Sequence, residues 1–147
     1  SPRMRLDLSL NILTFSALKN NIIKVFGGRQ IRPLIHIDDI TNVYLHILFK
    51  NISPGIYNAS SENISINKLA LSIKKALNKY KEIKIVKYKS NDPRSYRLNC
   101  DKLKKTGFKF TKKIHQGIKE IIELYKEGRI KDNANCYTIN WTKKNEK

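Results

Sequence analysis

An α/β fold of short strands and helices, mixed along one chain, is predicted by three features of the sequence. Brief runs rich in β-branched and aromatic residues, such as Ile23-Lys24-Val25-Phe26 and the alternating Ile83-Lys84-Ile85-Val86-Lys87-Tyr88, have the period of a strand. Longer stretches set apolar residues three and four apart, as in Ile66, Leu69, Ala70, Ile73 and Leu77, the period of a helix with one buried face. The two patterns interleave and do not form separate blocks.

In chain order, Leu6, Leu10, Leu13 and Ala17 make one helical stripe, with Ile12 and Leu18 beside it. Ile23 to Phe26 is a strand that stops at the Gly27-Gly28 turn. A polar, basic connection carrying Arg29 and Arg32 leads to a second strand, Leu34-Ile35-His36-Ile37. Asp38 or Asp39 then caps a helix bearing Ile40, Val43, Tyr44, Ile47 and Leu48, because a carboxylate there accepts from the unpaired N–H groups of the first turn. Asn51 to Gly55 is a turn and Ile56-Tyr57-Asn58-Ala59 a short strand. Ser65 is placed to cap the helix that holds Ile66 to Leu77. The strand from Ile83 to Tyr88 runs into a polar loop, Ser90-Asn91-Asp92-Pro93-Arg94-Ser95-Tyr96-Arg97. Cys100 to Thr106 is a short helix stopped by Gly107. Phe108-Lys109-Phe110 enters a last long helix with Ile114, Ile118, Ile121, Ile122 and Tyr125 at helical spacing, closed by Gly128. Tyr137 to Trp141 alternates and reads as a terminal strand or ordered arm, before a charged end at Lys143 to Lys147.

At 147 residues the chain is one domain or most of one, and a chain of this length buries roughly two thirds of its unfolded surface. Hydrophobic residues at 40% and charged residues at 29% suit a globular chain and argue against wholesale disorder. No apolar run approaches the roughly 20 residues of a membrane span, and Ser1-Pro2-Arg3 does not open a signal peptide, so no membrane partner and a cytoplasmic location are expected. Cys100 and Cys136 have no metal spacing. The net charge of +18 by itself suggests a polyanion partner. The basic residues are, however, spread over nearly every polar surface, and most Tyr and Phe fall at apolar positions of helices and strands. A base-stacking patch would concentrate them. No specific nucleic acid is therefore expected, although a basic surface favours anionic ligands.

The string G-G-R-Q-I-R-P-L-I-H-I-D-D, from Gly27 to Asp39, resembles a segment of the extended short-chain dehydrogenase/reductases, the NAD-dependent epimerase/dehydratase family that acts on nucleotide sugars. Two further stretches resemble that family: S-P-R-M-R-L-D-L with Asn11 behind it, and D-P-R-S-Y-R with the following D-K-L-K-K-T-G-F. The Ile56 to Ala59 stretch is similar to the family's Tyr-Asn-x-Gly strand, with Ser60 in place of the glycine. The resemblance runs from Ser1 to about Trp141 and implies a carboxyl-terminal, substrate-binding portion of a Rossmann-type enzyme over 1–147, with 135–147 a terminal arm. It assigns the sugar nucleotide's diphosphate to Arg32, a loop arginine closing over the phosphates to Arg94 with Arg97 second, and a place near the nucleotide to Asn11. From spacing alone, Asn11 equally fits a solvent-facing helix position, and the loop arginines equally fit bonds to local carboxylates. A guanidinium suits the phosphate role because its planar fork forms paired, charge-assisted bonds.

The parts needed for redox chemistry are not found in the sequence. Gly27-Gly28 precede no helix, so they do not form a dinucleotide-binding turn. Tyr80 and Lys84 match the Tyr-x-x-x-Lys string, yet they span the end of a helix and the start of a strand, where the two side chains do not share a face. His36, His46 and His115 are not spaced as metal ligands, and Asp38 and Asp39 are explained by capping. The resemblance thus implies NAD in the intact family member, none bound by this chain alone, and a missing amino-terminal Rossmann half as partner. It implies a nucleotide sugar as ligand, a homodimer in the intact enzyme, and no activity for the isolated chain. The competing reading is a non-enzymatic basic module for RNA or another polyanion. Strand edges left without the missing sheet also point to self-association.

Overall fold

The structure, a computed structural model, describes residues 4–145. Ser1 to Arg3, which open the first family-like stretch, and Glu146-Lys147 lie outside the described residues. Helix α1 (Ser9–Asn20) leads into strand β1 (Ile22–Phe26), followed by β2 (Ile31–Leu34), α2 (Ile37–Phe49), β3 (Glu62–Ser65) and α3 (Ile66–Leu77). Next come β4 (Lys84–Tyr88), the short α4 (Asp101–Lys104), α5 (Ile114–Lys126), a single 3₁₀ turn at Ala134–Cys136 and α6 (Thr138–Asn145).

Two small sheets organise these elements. β1 and β4 pair in parallel, with Ile23 opposite Ile85 and Phe26 opposite Tyr88, and β2 and β3 pair antiparallel, with Arg32 opposite Ile64. One face of β1, Ile23 and Val25, is fully buried against α1, α3 and α5, where Leu13, Leu69, Ile73 and Ile118 close the main core. The other face leaves Phe26 stacked on Tyr88, ring centroids 5.0 Å apart and both rings open to solvent. Thus the alternation in the sequence becomes a strand pair that fixes the core with one face and presents aromatics with the other. A second cluster packs Val43 of α2 on Leu103 and Phe108, and a third joins Leu6, Phe15 and Cys136.

Five expectations are corrected. The strand expected at Leu34 to Ile37 lies at Ile31–Leu34, and Ile37 opens α2. Pro33 disguises the strand, but a two-stranded ribbon tolerates its missing N–H. The α2 cap is His36, not an aspartate: its Nδ1 accepts the Asp38 N–H at 3.2 Å, which places both aspartates in the first turn, favoured by the helix dipole. Ile56 to Ala59 forms no strand, because β2 takes residues 62–65 as its partner and Tyr57 is held locally, donating to the Ser53 carbonyl oxygen at 2.7 Å. Tyr137 to Trp141 belongs to a 3₁₀-to-helix passage and α6, not a strand; Asp7 accepts the Thr138 N–H at 2.9 Å and fixes the helix start. Finally, α1 begins at Ser9, and Leu6 is buried beside Cys136 by a 2.8 Å bond from its N–H to the Cys136 carbonyl oxygen. The Ser65 cap is as expected, accepting the Lys68 N–H at 3.3 Å.

Candidate functional site

The Gly27-Gly28 turn delivers Gln30 and Arg32 to the open end of β1. Gln30 folds back on the turn, its Oε1 accepting the Gly28 N–H at 2.5 Å and its Nε2 donating to the Phe26 carbonyl oxygen at 2.7 Å. Gly28 has φ +103°, a backbone conformation that favours glycine, and a Cβ there would lie 2.2 Å from Asn67 Oδ1, so the Asn67 side chain would have to move.

Arg32, on β2, is held by main chain. Its Nη1 donates to the carbonyl oxygens of Ile31 at 3.1 Å and Arg94 at 2.5 Å, its Nη2 reaches Asp92 Oδ2 at 3.4 Å, and its guanidinium stands 5.6 Å from the Tyr96 ring centre. The loop that brings Asp92 and Arg94 here is stitched to the ribbon. Ser95 Oγ accepts the Ile31 N–H at 2.9 Å, and the Asn63 amide accepts from and donates to the Leu98 main chain at 3.0 Å each. Asp92 also takes the Arg94 fork, with Oδ1 to Nε at 2.7 Å and Oδ2 to Nη2 at 2.8 Å. Those bonds, with the nearby charges of Arg94 and Arg32, hold the Asp92 carboxyl at about 2 and push Arg94 further up.

The arginine seat stands between two clefts. A cleft of about 350 Å³, with Ile12, Leu13, Phe26 and Ile66 as apolar walls, is lined also by Lys24, Gln30 and Arg32. A wider, more open one of about 710 Å³ lies under the loop, lined by Arg29, Gln30, Lys87, Tyr88 and Asp92. The smaller cleft is the better ligand site, because a guanidinium and a lysine meet an apolar floor there.

Of the expected site residues, the Arg32 guanidinium meets the Arg94 carbonyl oxygen across 62 positions of sequence, and the two side chains are linked through Asp92; Arg32 lines the smaller cleft and Arg94 lines neither. Asn11 is engaged in donating to the Arg5 carbonyl oxygen at 2.8 Å, half-buried on α1. Arg97 is exposed and makes no hydrogen bond or ion pair within the described residues. Lys24 and Phe26 join the site without a motif of their own, whereas Gln30 and Asp92 lie inside the family-like strings but are given no role by them; the Asp-x-Arg spacing that lets Asp92 fork onto Arg94 is a further signal in the sequence.

The remaining titratable residues do other work. His36 Nε2 lies 2.7 Å from Glu120, and Lys112 bridges Glu120 and Asp38 at 3.3 Å each, joining α2 to α5. Tyr80 lies in the turn after α3 and Lys84 opens β4; the Tyr80 ring is flanked instead by Lys79 and Lys126 at 4.8 and 4.1 Å. Among the described residues no group of three or more His, Cys, Asp or Glu is placed to hold a metal ion. Most Tyr and Phe are expected at apolar positions of helices and strands; Phe26, Tyr44, Phe49 and Tyr88 do stand on such elements but face outward and are exposed, and Tyr80 and Tyr96 are exposed in a turn and a loop.

No family model matches the chain. Among solved structures, it superposes on a dTDP-glucose 4,6-dehydratase from Bacillus anthracis str. Ames in complex with NAD, with TM-score 0.69 and 20% identity over 84% of this chain and 40% of that one. It is also similar to a UDP-glucose 4-epimerase from Thermus thermophilus in complex with NAD, with TM-score 0.66 and 17% identity, covering 80% of this chain and 40% of that one. An ADP-L-glycero-D-manno-heptose-6-epimerase from Helicobacter pylori gives TM-score 0.64 and 20% identity, over 78% and 36%. The likeness is one of fold: the chain has the mixed α/β fold of the carboxyl-terminal portion of extended short-chain dehydrogenase/reductases. It spans about two fifths of the length of these enzymes.

Proposed function

We propose that the chain is the nucleotide-sugar-binding portion of an NAD-dependent epimerase or dehydratase, and that it turns over no substrate by itself. The observation that carries this reading is Arg32, which lines a cleft with an apolar floor while its guanidinium bonds the Arg94 carbonyl oxygen and shares Asp92 with the Arg94 side chain, on a fold shared with enzymes of nucleotide sugars. Arg32 and Arg94 receive the diphosphate through charge-assisted bonds, and Phe26 with Lys24 offers an apolar and cationic wall to the rest of the nucleotide. Asn11 and Arg97 are kept as outer contacts of the same ligand. NAD, the hydride step and the proton transfer belong to the portion of the enzyme outside this chain, with which it assembles in the cytoplasm, the intact enzyme being a homodimer.

The competing reading, a basic polyanion module, draws on the charge of +18 and on Tyr80 flanked by two lysines. Calorimetric titration with UDP-glucose, CDP-glucose and GDP-mannose separates the two. One nucleotide sugar is expected to bind, and Arg32→Ala and Arg94→Ala are each expected to weaken it by about tenfold or more, the loss typical of a charge-assisted bond. Binding of a random RNA with steep salt dependence, and of no nucleotide sugar, would establish the polyanion module instead.

A further inference from the structure

We propose that Asp92 is a built-in competitor for the anion seat: its carboxylate stands where a ligand phosphate binds, between Arg32 and Arg94, and every anionic ligand must displace it. The inference rests on the diphosphate reading above and adds a residue that sets the affinity of the site.

The bonding of Asp92 is that of an anion in a two-arginine seat. Oδ1 accepts Arg94 Nε at 2.7 Å and the Arg94 N–H at 3.1 Å, while Oδ2 accepts Arg94 Nη2 at 2.8 Å and Arg32 Nη2 at 3.4 Å. The occupancy is lopsided. One carboxylate satisfies the Arg94 fork but reaches Arg32 only at long range, and a single negative charge faces two guanidinium groups. A diphosphate carries more charge and more acceptor oxygens, and its two linked phosphoryl groups can serve both forks together.

Exchange is open on both sides. The Arg94 side chain is 78% exposed, so its partner can leave without breaching the core. Asp92 also lines the wider cleft, where Arg29, Lys87 and Lys89 can receive the displaced carboxylate. The carboxyl, held at about 2, is ionised at neutral pH, so the competitor is always charged. Because Asp92 is tethered two residues from Arg94, it competes as an intramolecular group at high effective concentration. A single-phosphate ligand then holds the seat more weakly than a diphosphate does, and each meets the same penalty for displacing Asp92.

Competition has a quantitative signature: removing an internal occupant raises the apparent affinity of every displacing ligand by one common factor. Calorimetry of the full chain with inorganic pyrophosphate and with inorganic phosphate, at fixed ionic strength, reads that factor. Asp92→Asn keeps the shape and the oxygen that accepts the Arg94 N–H; Asp92→Ser is a second variant should the amide disturb the loop. Both are expected to tighten pyrophosphate and phosphate equally, by about tenfold or more, which corresponds to an open seat populated about one part in ten. Asp101→Asn, an equal loss of charge at a residue that touches neither arginine, is expected to change little. Unchanged or weaker binding in the Asp92 variants, unequal factors for the two anions, or an equal gain from Asp101→Asn would overturn the competitor while leaving the seat intact. Absence of pyrophosphate binding in the unaltered chain and both variants would overturn the competitor and the diphosphate reading together.

Discussion

Asp39 shows how one buried charge can fix the geometry of a distant site. Its side chain is fully buried on α2, and it accepts the Thr111 N–H at 3.1 Å, the Thr111 hydroxyl at 2.8 Å and the Lys112 N–H at 3.0 Å. These bonds tie the segment before α5 to the first turn of α2, directly after the strand that carries Arg32. Burial opposes ionisation, but the three donors and the charge of His36 prevail, and the carboxyl is held below the usual aspartate range. A depressed folded pKa means that stability is present above the unfolded value of about 3.9 and is lost as pH falls through the folded value. Asp39→Ala leaves two main-chain N–H groups unsatisfied and is expected to cost about 3 kcal/mol at neutral pH. Urea unfolding at about pH 7 and about pH 3 should show the deficit of Asp39→Ala shrinking at the lower pH. A deficit that is equal at both would mean that the aspartate acts by shape and not by charge.

At the scale of elements, α2 carries apolar residues on two faces and buries only one. Val43 packs with Ile40 and Ile47 on Leu103 and Phe108, while Tyr44, Leu48 and Phe49 stand 66%, 73% and 80% exposed, near the level of Ile56 at 87%. Such a stripe on a chain covering two fifths of its fold neighbours is expected to drive self-association. Light scattering across a dilution series should show oligomers that dissociate in Leu48→Glu/Phe49→Glu with unchanged circular dichroism; an unaltered chain that is monomeric at every concentration would refute this. The same helix shows what is legible in the sequence. Its apolar spacing announces a helix, but periodicity cannot say whether a face has a partner. Strand β2 is misplaced by sequence pattern because Arg32 and Pro33 break the alternation, and its strandhood comes from pairing with residues 62–65. Ile56 to Ala59 has strand composition but no such partner, so it stays irregular. Within the site, Arg32 and Arg94 are legible through family-like strings, whereas the Asp92 bond to Arg32 spans 60 residues and exists only in the fold.

For the whole molecule the largest force left to weigh is charge. Many of the few carboxylates are already engaged: Asp7 with Arg5, Asp132 with Lys19, Glu120 with Lys112, Glu123 with Lys119 and Glu127 with Arg129. Lysines in the last turns of α1, α3 and α5 offset the negative ends of those helix dipoles, a local gain. The net charge of +18 is nonetheless spread over the surface of a 147-residue chain, and at separations beyond contact its net effect is repulsive. Salt acts unequally on these attractions and repulsions. The Debye length falls from about 10 Å at 0.1 M to about 3 Å at 1 M, so distant lysine repulsions are screened before pairs in contact are. Raising NaCl from about 0.05 M to about 0.5 M is therefore expected to raise the urea midpoint with an unchanged slope. A falling midpoint would mean that contact pairs and helix ends outweigh the long-range field. The surplus lysines would then be stabilising the fold locally, through contact pairs and helix ends.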